Sequence, residues 1–136
     1  MALAKDYLDI PGTIVFDADM SRKGYHLNQF CMSLMKAENR KRFLSDERAY
    51  MDEWPLTEVQ KQALLDRDYN KCLENGANIY FLAKLFYTDE TPFERGVSTM
   101  TGVSPEEYRA MMLSGGRPIE GNRSRTENET NKQQEQ

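Results

Sequence analysis

From Gly24 to Met35 the chain reads Gly-Tyr-His-Leu-Asn-Gln-Phe-Cys-Met-Ser-Leu-Met, with Leu27, Phe30, Cys31, Leu34 and Met35 falling at i, i+3, i+4, i+7 and i+8. That spacing gathers apolar side chains on one helical face and predicts an amphipathic helix whose inner side is buried. Lys36, Glu38, Arg40, Lys41 and Arg42 come next as a solvated run. Helical character then continues through Ala37 to Phe43, and Phe43, Glu47, Tyr50, Met51 and Trp54 make a second stripe that Pro55 stops. Asn39 or Ser45 could each cap a start inside this region, so the pattern leaves open whether it is one helix or two.

Thr57-Glu58-Val59-Gln60 is a capping box, which starts a helix at Glu58. Leu65, Tyr69, Cys72 and Leu73 mark its inner face, and Asn75-Gly76 closes it. Asn78 can cap Ile79 to Tyr87, a segment apolar nearly all round with Lys84 its sole charge. Such a helix is wrapped on all sides, either as the central core element or in part by a partner chain. Thr88 to Gly102, rich in Thr, Pro and Gly, reads as a long loop carrying Phe93 and Met100 without a helical stripe. Ser104-Pro105-Glu106-Glu107 then combines a capping serine, a proline at the first helical position and a glutamate at the third, opening a last helix that Gly115-Gly116 ends.

The ends differ in kind. Leu3, Tyr7, Leu8 and Ile10 lie among charges in a short arm that Pro11-Gly12 terminates, and Thr13 to Phe16 is an extended lead-in. Ser21 or Asp19 can cap the next segment, with Arg22-Lys23-Gly24 as the turn into the first long helix. From Asn122 to Gln136 the tail is wholly polar and cannot bury enough to offset its ordering entropy. The expectation is therefore an all-α protein, one small domain of about five to seven helices over 13–116, with an arm at 1–12 and a disordered polar tail at 117–136.

Composition narrows the function. The 136 residues carry a formal net charge of −4, which opposes a phosphate backbone as partner. No apolar run approaches the roughly 20 residues of a membrane span, and no secretory signal is visible, so a cytoplasmic protein is expected. Cys31 and Cys72 lie in apolar helical patterns, which fits two reduced, buried thiols.

The chemical inventory is thin. An iron site of the non-haem kind needs two imidazoles and a carboxylate, and His26 is the chain's single histidine. A Cys-His nucleophile pair from His26 and Cys31 would point the two side chains about 140° apart on a helix, and a pairing with Cys72 has no support. His26 reads as a helix-start residue bonded to backbone or to a partner chain. No phosphate loop, nucleophile elbow or carboxylate cluster at ligand spacing is present. On these residues the chain is a small helical domain that forms part of something larger.

The order of its motifs is informative. Arg22-Lys23-Gly24-Tyr25-His26-Leu27-Asn28-Gln29-Phe30, Ser33-Leu34-Met35-Lys36-Ala37-Glu38-Asn39-Arg40, Asp52-Glu53-Trp54, Arg67-Asp68-Tyr69-Asn70, Asn78-Ile79-Tyr80-Phe81-Leu82 and Ser98-Thr99-Met100-Thr101-Gly102 occur in one series. Over roughly Ile10 to Ser124 the chain resembles the small alpha subunits of the protocatechuate 4,5-dioxygenases, of the type II extradiol class. The resemblance implies an all-helical, non-catalytic subunit paired with a larger beta subunit in a heterotetramer of two alpha and two beta chains. It implies that the beta chain holds Fe(II) and the catalytic base, opens an aromatic dihydroxy acid with O2, and is covered at its active site by the alpha chain. Under this reading the residues expected at the partner or over its site are His26, Tyr80, Phe86, Phe93 and Met100. A helical interaction module with a non-enzymatic partner, or an alpha subunit acting on gallate or another catechol, are the alternatives.

Overall fold

The computed structural model describes residues 5–117 and residue 133, and among them the regular structure is all-helical. Nine α-helices succeed a 3-10 turn at Asp6–Asp9: α1 (Ala18–Lys23), α2 (Tyr25–Ser33), α3 (Ala37–Ser45), α4 (Glu47–Asp52), α5 (Glu58–Leu65), α6 (Tyr69–Glu74), α7 (Ile79–Thr88), α8 (Phe93–Thr101) and α9 (Pro105–Leu113). The chain groups into two units, one of residues 16–109 and one made of segments 1–15 and 110–136.

In the larger unit α2 packs most extensively on α7, α3 on α4, α5 on α6, and α8 on α7. The core gathers Leu27, Phe30, Cys31 and Leu34 of α2 and its end, Phe43 of α3, Tyr50 and Met51 of α4, Leu64 and Cys72 of α5 and α6, and Leu82, Leu85 and Phe86 of α7. Four of the expected stripe positions on α2 are therefore inside, whereas Met35, placed with them by spacing, is 58 % exposed because the helix stops at Ser33. Phe30 centres an aromatic cluster, its ring 5.5 Å from Phe43, 5.8 Å from Tyr50 and 6.3 Å from Trp54.

A close backbone contact fixes where α2 and α7 begin. A Cβ on Gly24 would lie 1.8 Å from the Gly76 carbonyl oxygen, so no side chain fits at either glycine. Beside it the buried Asn28 amide donates to the Gly76 carbonyl at 3.0 Å and its oxygen accepts from the Asn78 N–H at 2.9 Å. The buried Gln60 donates to the carbonyls of Lys23 and Asn75, at 3.2 and 3.0 Å, while its oxygen accepts the Thr57 N–H of the capping box. Two polar side chains thus satisfy backbone groups from three separate segments, which an apolar residue at either place would leave unpaired.

Several elements differ from their sequence expectation. Asp17 caps the first helix, through Met20 N–H at 2.9 Å, so Arg22 and Lys23 are helical. The stretch 36–54 is two helices, and Asp46 in extended conformation ends α3 and caps α4 through Ala49 N–H. The helix expected to run from Glu58 to Leu73 is broken at Asp66–Asp68, where Arg67 sits at φ 51° and Asp68 recaps α6. The expected loop over 88–102 contains α8, a helix seated by the buried Gly96, whose Cβ would come 2.7 Å from the Phe86 ring. These breaks raise the helix number from the expected five to seven to nine among the described residues.

In the smaller unit, the described part of segment 1–15 holds the 3-10 turn with Leu8 exposed. The other segment carries the end of α9, closed by Gly115 and Gly116 at positive φ with the Gly116 N–H donating to the Met111 carbonyl at 3.0 Å. The tail expectation at 117–136 lies, beyond Arg117, outside the described residues apart from Gln133.

Candidate partner interface

Helix α7 divides into an inner and an outer face. Leu82, Leu85 and Phe86 turn inward, while Tyr80 and Tyr87 stand 78 % and 68 % exposed. Residues 80, 84 and 87 keep i, i+4, i+7 spacing, so the two tyrosines share one outer face with Lys84 between them. Roughly 10 Å of helix separates the rings' positions at 1.5 Å per residue.

The Tyr87 end of this face opens into a groove of about 600 Å³. One wall is α3, which presents Ala37, Arg40, Lys41 and Leu44; the other is Tyr87 and the turn through Glu90, Thr91 and Pro92. Arg40 is held in place: its Nη1 donates to the carbonyls of Leu34 and Met35, each at 2.9 Å, and its guanidinium lies 5.0 Å from the Tyr87 ring centroid. Those two carbonyls lie at the C-cap of α2 and just beyond it, so one cation ties down the exit of that helix and meets α7 at once. Leu44 is half exposed beside it.

The expected site residues separate into two groups. Phe86 is 1 % exposed, its ring 4.5 Å from Tyr69, and belongs to the core of this chain rather than to its surface. Met100 is half-buried against the same core, and its carbonyl accepts from the Asn70 amide at 3.0 Å. Tyr80 and Phe93 are on the surface, Phe93 being 56 % exposed at the first turn of α8 with its ring 5.8 Å from Phe86. His26 is exposed on α2, edge-on to Tyr25 at 5.1 Å. Arg40, Lys41 and Leu44 are absent from the sequence-based expectation, because the run from Lys36 to Arg42 reads as a solvated stretch, whereas Tyr87 belongs to the segment Ile79 to Tyr87 expected to be core or in part partner-covered. Ala37, Arg40, Lys41 and Leu44 do stand at i, i+3, i+4 and i+7, and that spacing is the signal that could have found them.

A second groove, of about 790 Å³, runs over the Phe30 cluster between α2, α3 and α4, lined among others by Met32, Met35 and Trp54. At its floor the Tyr50 hydroxyl and the Ser33 Oγ hydrogen-bond at 2.7 Å, and Arg42 covers the Tyr50 ring while bonding Glu53.

The groups that could do chemistry are placed against it. Cys31 and Cys72 are free and buried, as expected. Burial, with Asp68 nearby, pushes the Cys72 thiol up to about 12, and burial together with the proximity of Cys72 raises that of Cys31 further. Neither supplies a thiolate near neutral pH. Among the described residues no group of three or more His, Cys, Asp and Glu side chains stands where it could hold a metal ion. Arg67 is the most strongly tied cation, its Nε and Nη2 bonded to the two Asp89 oxygens at 2.7 and 3.0 Å and its Nη1 to Glu47. Desolvation works to lower its pKa, and the bonds to Asp89 and Glu47 outweigh it and hold it above the ordinary value. Its partners are internal, so this knot braces α4, the α5–α6 turn and the end of α7. Among the described residues no helix is long and apolar enough to cross a membrane.

The fold and its surface define a small helical chain with an exposed aromatic face and, among its described residues, no cluster of metal-ligating side chains. Residues 27–113 match the family of the LigA subunit of the aromatic-ring-opening dioxygenase LigAB, and the chain belongs to that family. It is similar to a gallate dioxygenase of Pseudomonas putida, with 33 % identity over 76 residues, which are 56 % of this chain and 22 % of that protein. The chain thus spans about a fifth of the length of that relative.

Proposed function

We propose that this chain is the small, non-catalytic alpha subunit of an extradiol dioxygenase, closing over the active site of a larger beta subunit in a heterotetramer of two chains of each kind. The reaction is cleavage of protocatechuate at the 4,5 position, with both atoms of O2 entering 4-carboxy-2-hydroxymuconate semialdehyde. Membership of the LigA family is the observation that carries this reading. The residues present do not fit an iron site: the sequence has one histidine, exposed on α2 and outside any cluster of ligands among the described residues. In this proposal Fe(II) is bound by the beta subunit, and no step of ring cleavage passes through a group on this chain.

What the chain supplies is a cover. Exposed rings such as Tyr80, Tyr87 and Phe93 on a rigid helical body are suited to fill a partner's concave surface at low entropic cost. Covering the mouth of a site removes water, which strengthens electrostatic interactions inside and protects reactive intermediates.

Gallate is the second candidate substrate, because the similar protein is a gallate dioxygenase. Co-expression with the beta subunit and an Fe(II)-dependent assay on both acids decides between them. Yellow semialdehyde from protocatechuate at the higher kcat/KM is expected; a higher value on gallate reassigns the substrate and leaves the subunit role in place.

A further inference from the structure

We infer that the groove between α3 and the end of α7 receives a carboxylate-bearing, partly apolar patch of the catalytic subunit, an inference that rests on the partner reading above. The chain as a whole carries a net charge of −4, which would repel an acidic surface. The charges are not evenly satisfied, however. Arg42, Arg48, Lys61 and Arg67 each form an ion pair with a carboxylate. Arg40 and Lys41 in the groove and Lys84 on the adjoining tyrosine face form none among the described residues.

Arg40 is the organising group. Its Nη1 is spent on the Leu34 and Met35 carbonyls and its plane rests on Tyr87, which leaves the other N–H groups of a fixed fork free to meet a carboxylate. Because the side chain is already ordered, binding costs little rotamer entropy. Leu44 and Tyr87 give the same groove an apolar floor, and arginine beside exposed tyrosine is the composition of an interface centre. Glu90 is the one carboxylate among the lining residues, so the groove stays positive. A phosphate backbone is a poorer occupant, since nucleic-acid sites need more cations and no aliphatic rim.

The test is association kinetics of the full chain with the catalytic subunit across ionic strength, comparing wild type with the double variant Lys41→Glu, Lys84→Glu and its neutral counterpart Lys41→Met, Lys84→Met. At about 0.05 M salt the charge reversal lowers kon about tenfold and the neutral pair less, and the difference closes at about 1 M, where the Debye length is roughly 3 Å. Circular dichroism of the variants stays at the wild-type value. Equal, salt-independent kon for all three chains, with Tyr80→Asp still abolishing the complex, overturns the electrostatic inference and keeps the partner reading. A wild-type chain that forms no complex at any ionic strength overturns both, and a DNA duplex bound by wild type and lost in the double variant gives the groove to another ligand.

Discussion

Phe86 and Phe93 contrast an aromatic that holds a fold with one that can serve a surface. Phe86 lies in the apolar run Ile79 to Tyr87 and Phe93 among Thr, Pro and charged residues, and in the fold Phe86 is enclosed beneath Gly96 while Phe93 is more than half exposed. Truncating them should therefore act on different observables. Phe86→Ala should cost about 3–5 kcal/mol of folding stability by denaturant titration. Phe93→Ala should cost less than about 1 kcal/mol and, if its ring meets the catalytic subunit, should change KM or kcat of the assembled enzyme instead. A large fall in stability from Phe93→Ala with unchanged kinetics would return Phe93 to a structural role. The long-range bonds of Asn28 and Gln60 are illegible for another reason. Their partners Gly76, Lys23 and Asn75 lie 15 to 48 residues away, and nothing local in a helical pattern announces such bonds.

At the scale of elements, the helices are legible wherever a cap and a stripe agree. The Thr57 and Ser104 capping boxes form with both reciprocal bonds present. The start of α7 at Asn78 is equally plain, its side chain accepting the Tyr80 N–H at 2.9 Å. What the pattern conceals are breaks made by tertiary contacts. The stripe Leu65, Tyr69, Cys72, Leu73 keeps helical spacing across the α5–α6 turn, although Arg67 in the left-handed region interrupts the backbone. That conformation is disfavoured for arginine and is held by the fork to Asp89 and the bond to Glu47. Arg67→Ala should cost on the order of 2 kcal/mol, between the values for exposed and buried pairs, and Arg67→Lys should recover only part because a lysine cannot match both Asp89 oxygens. Equal stability of all three chains in thermal melts would show that the turn is set by other contacts. Helix α8 escapes the pattern because Thr, Pro and Gly carry loop propensity, whereas Gly96 is needed there for close approach to the Phe86 ring.

For the whole molecule, two buried thiols give stability a direction with pH. Cys72 rises from an ordinary 9.0 to about 12 on folding, so between those values the unfolded chain has lost a proton that the folded chain keeps. The thiols' contribution is fully present below about pH 9 and is lost as pH rises toward about 12. Denaturation midpoints should fall over that window, and Cys72→Ala should flatten part of the fall; a midpoint independent of pH there would show that the thiol is not desolvated. On the same reasoning neither cysteine of the native chain should react with a thiol reagent at about pH 7, and both should react once unfolded.

The proposed contact role of the exposed face and the proposed division of labour between subunits concern an assembly, and their most direct measurement is reconstitution. Purified catalytic subunit is titrated with this chain while ring cleavage and bound iron are followed. Activity should rise to a plateau at one small chain per catalytic chain, the small chain alone should bind no stoichiometric Fe(II) and cleave nothing, and His26→Ala should leave the iron content of the complex unchanged. Stoichiometric iron in the isolated small chain, or catalysis indifferent to its addition, would contradict a non-catalytic covering subunit.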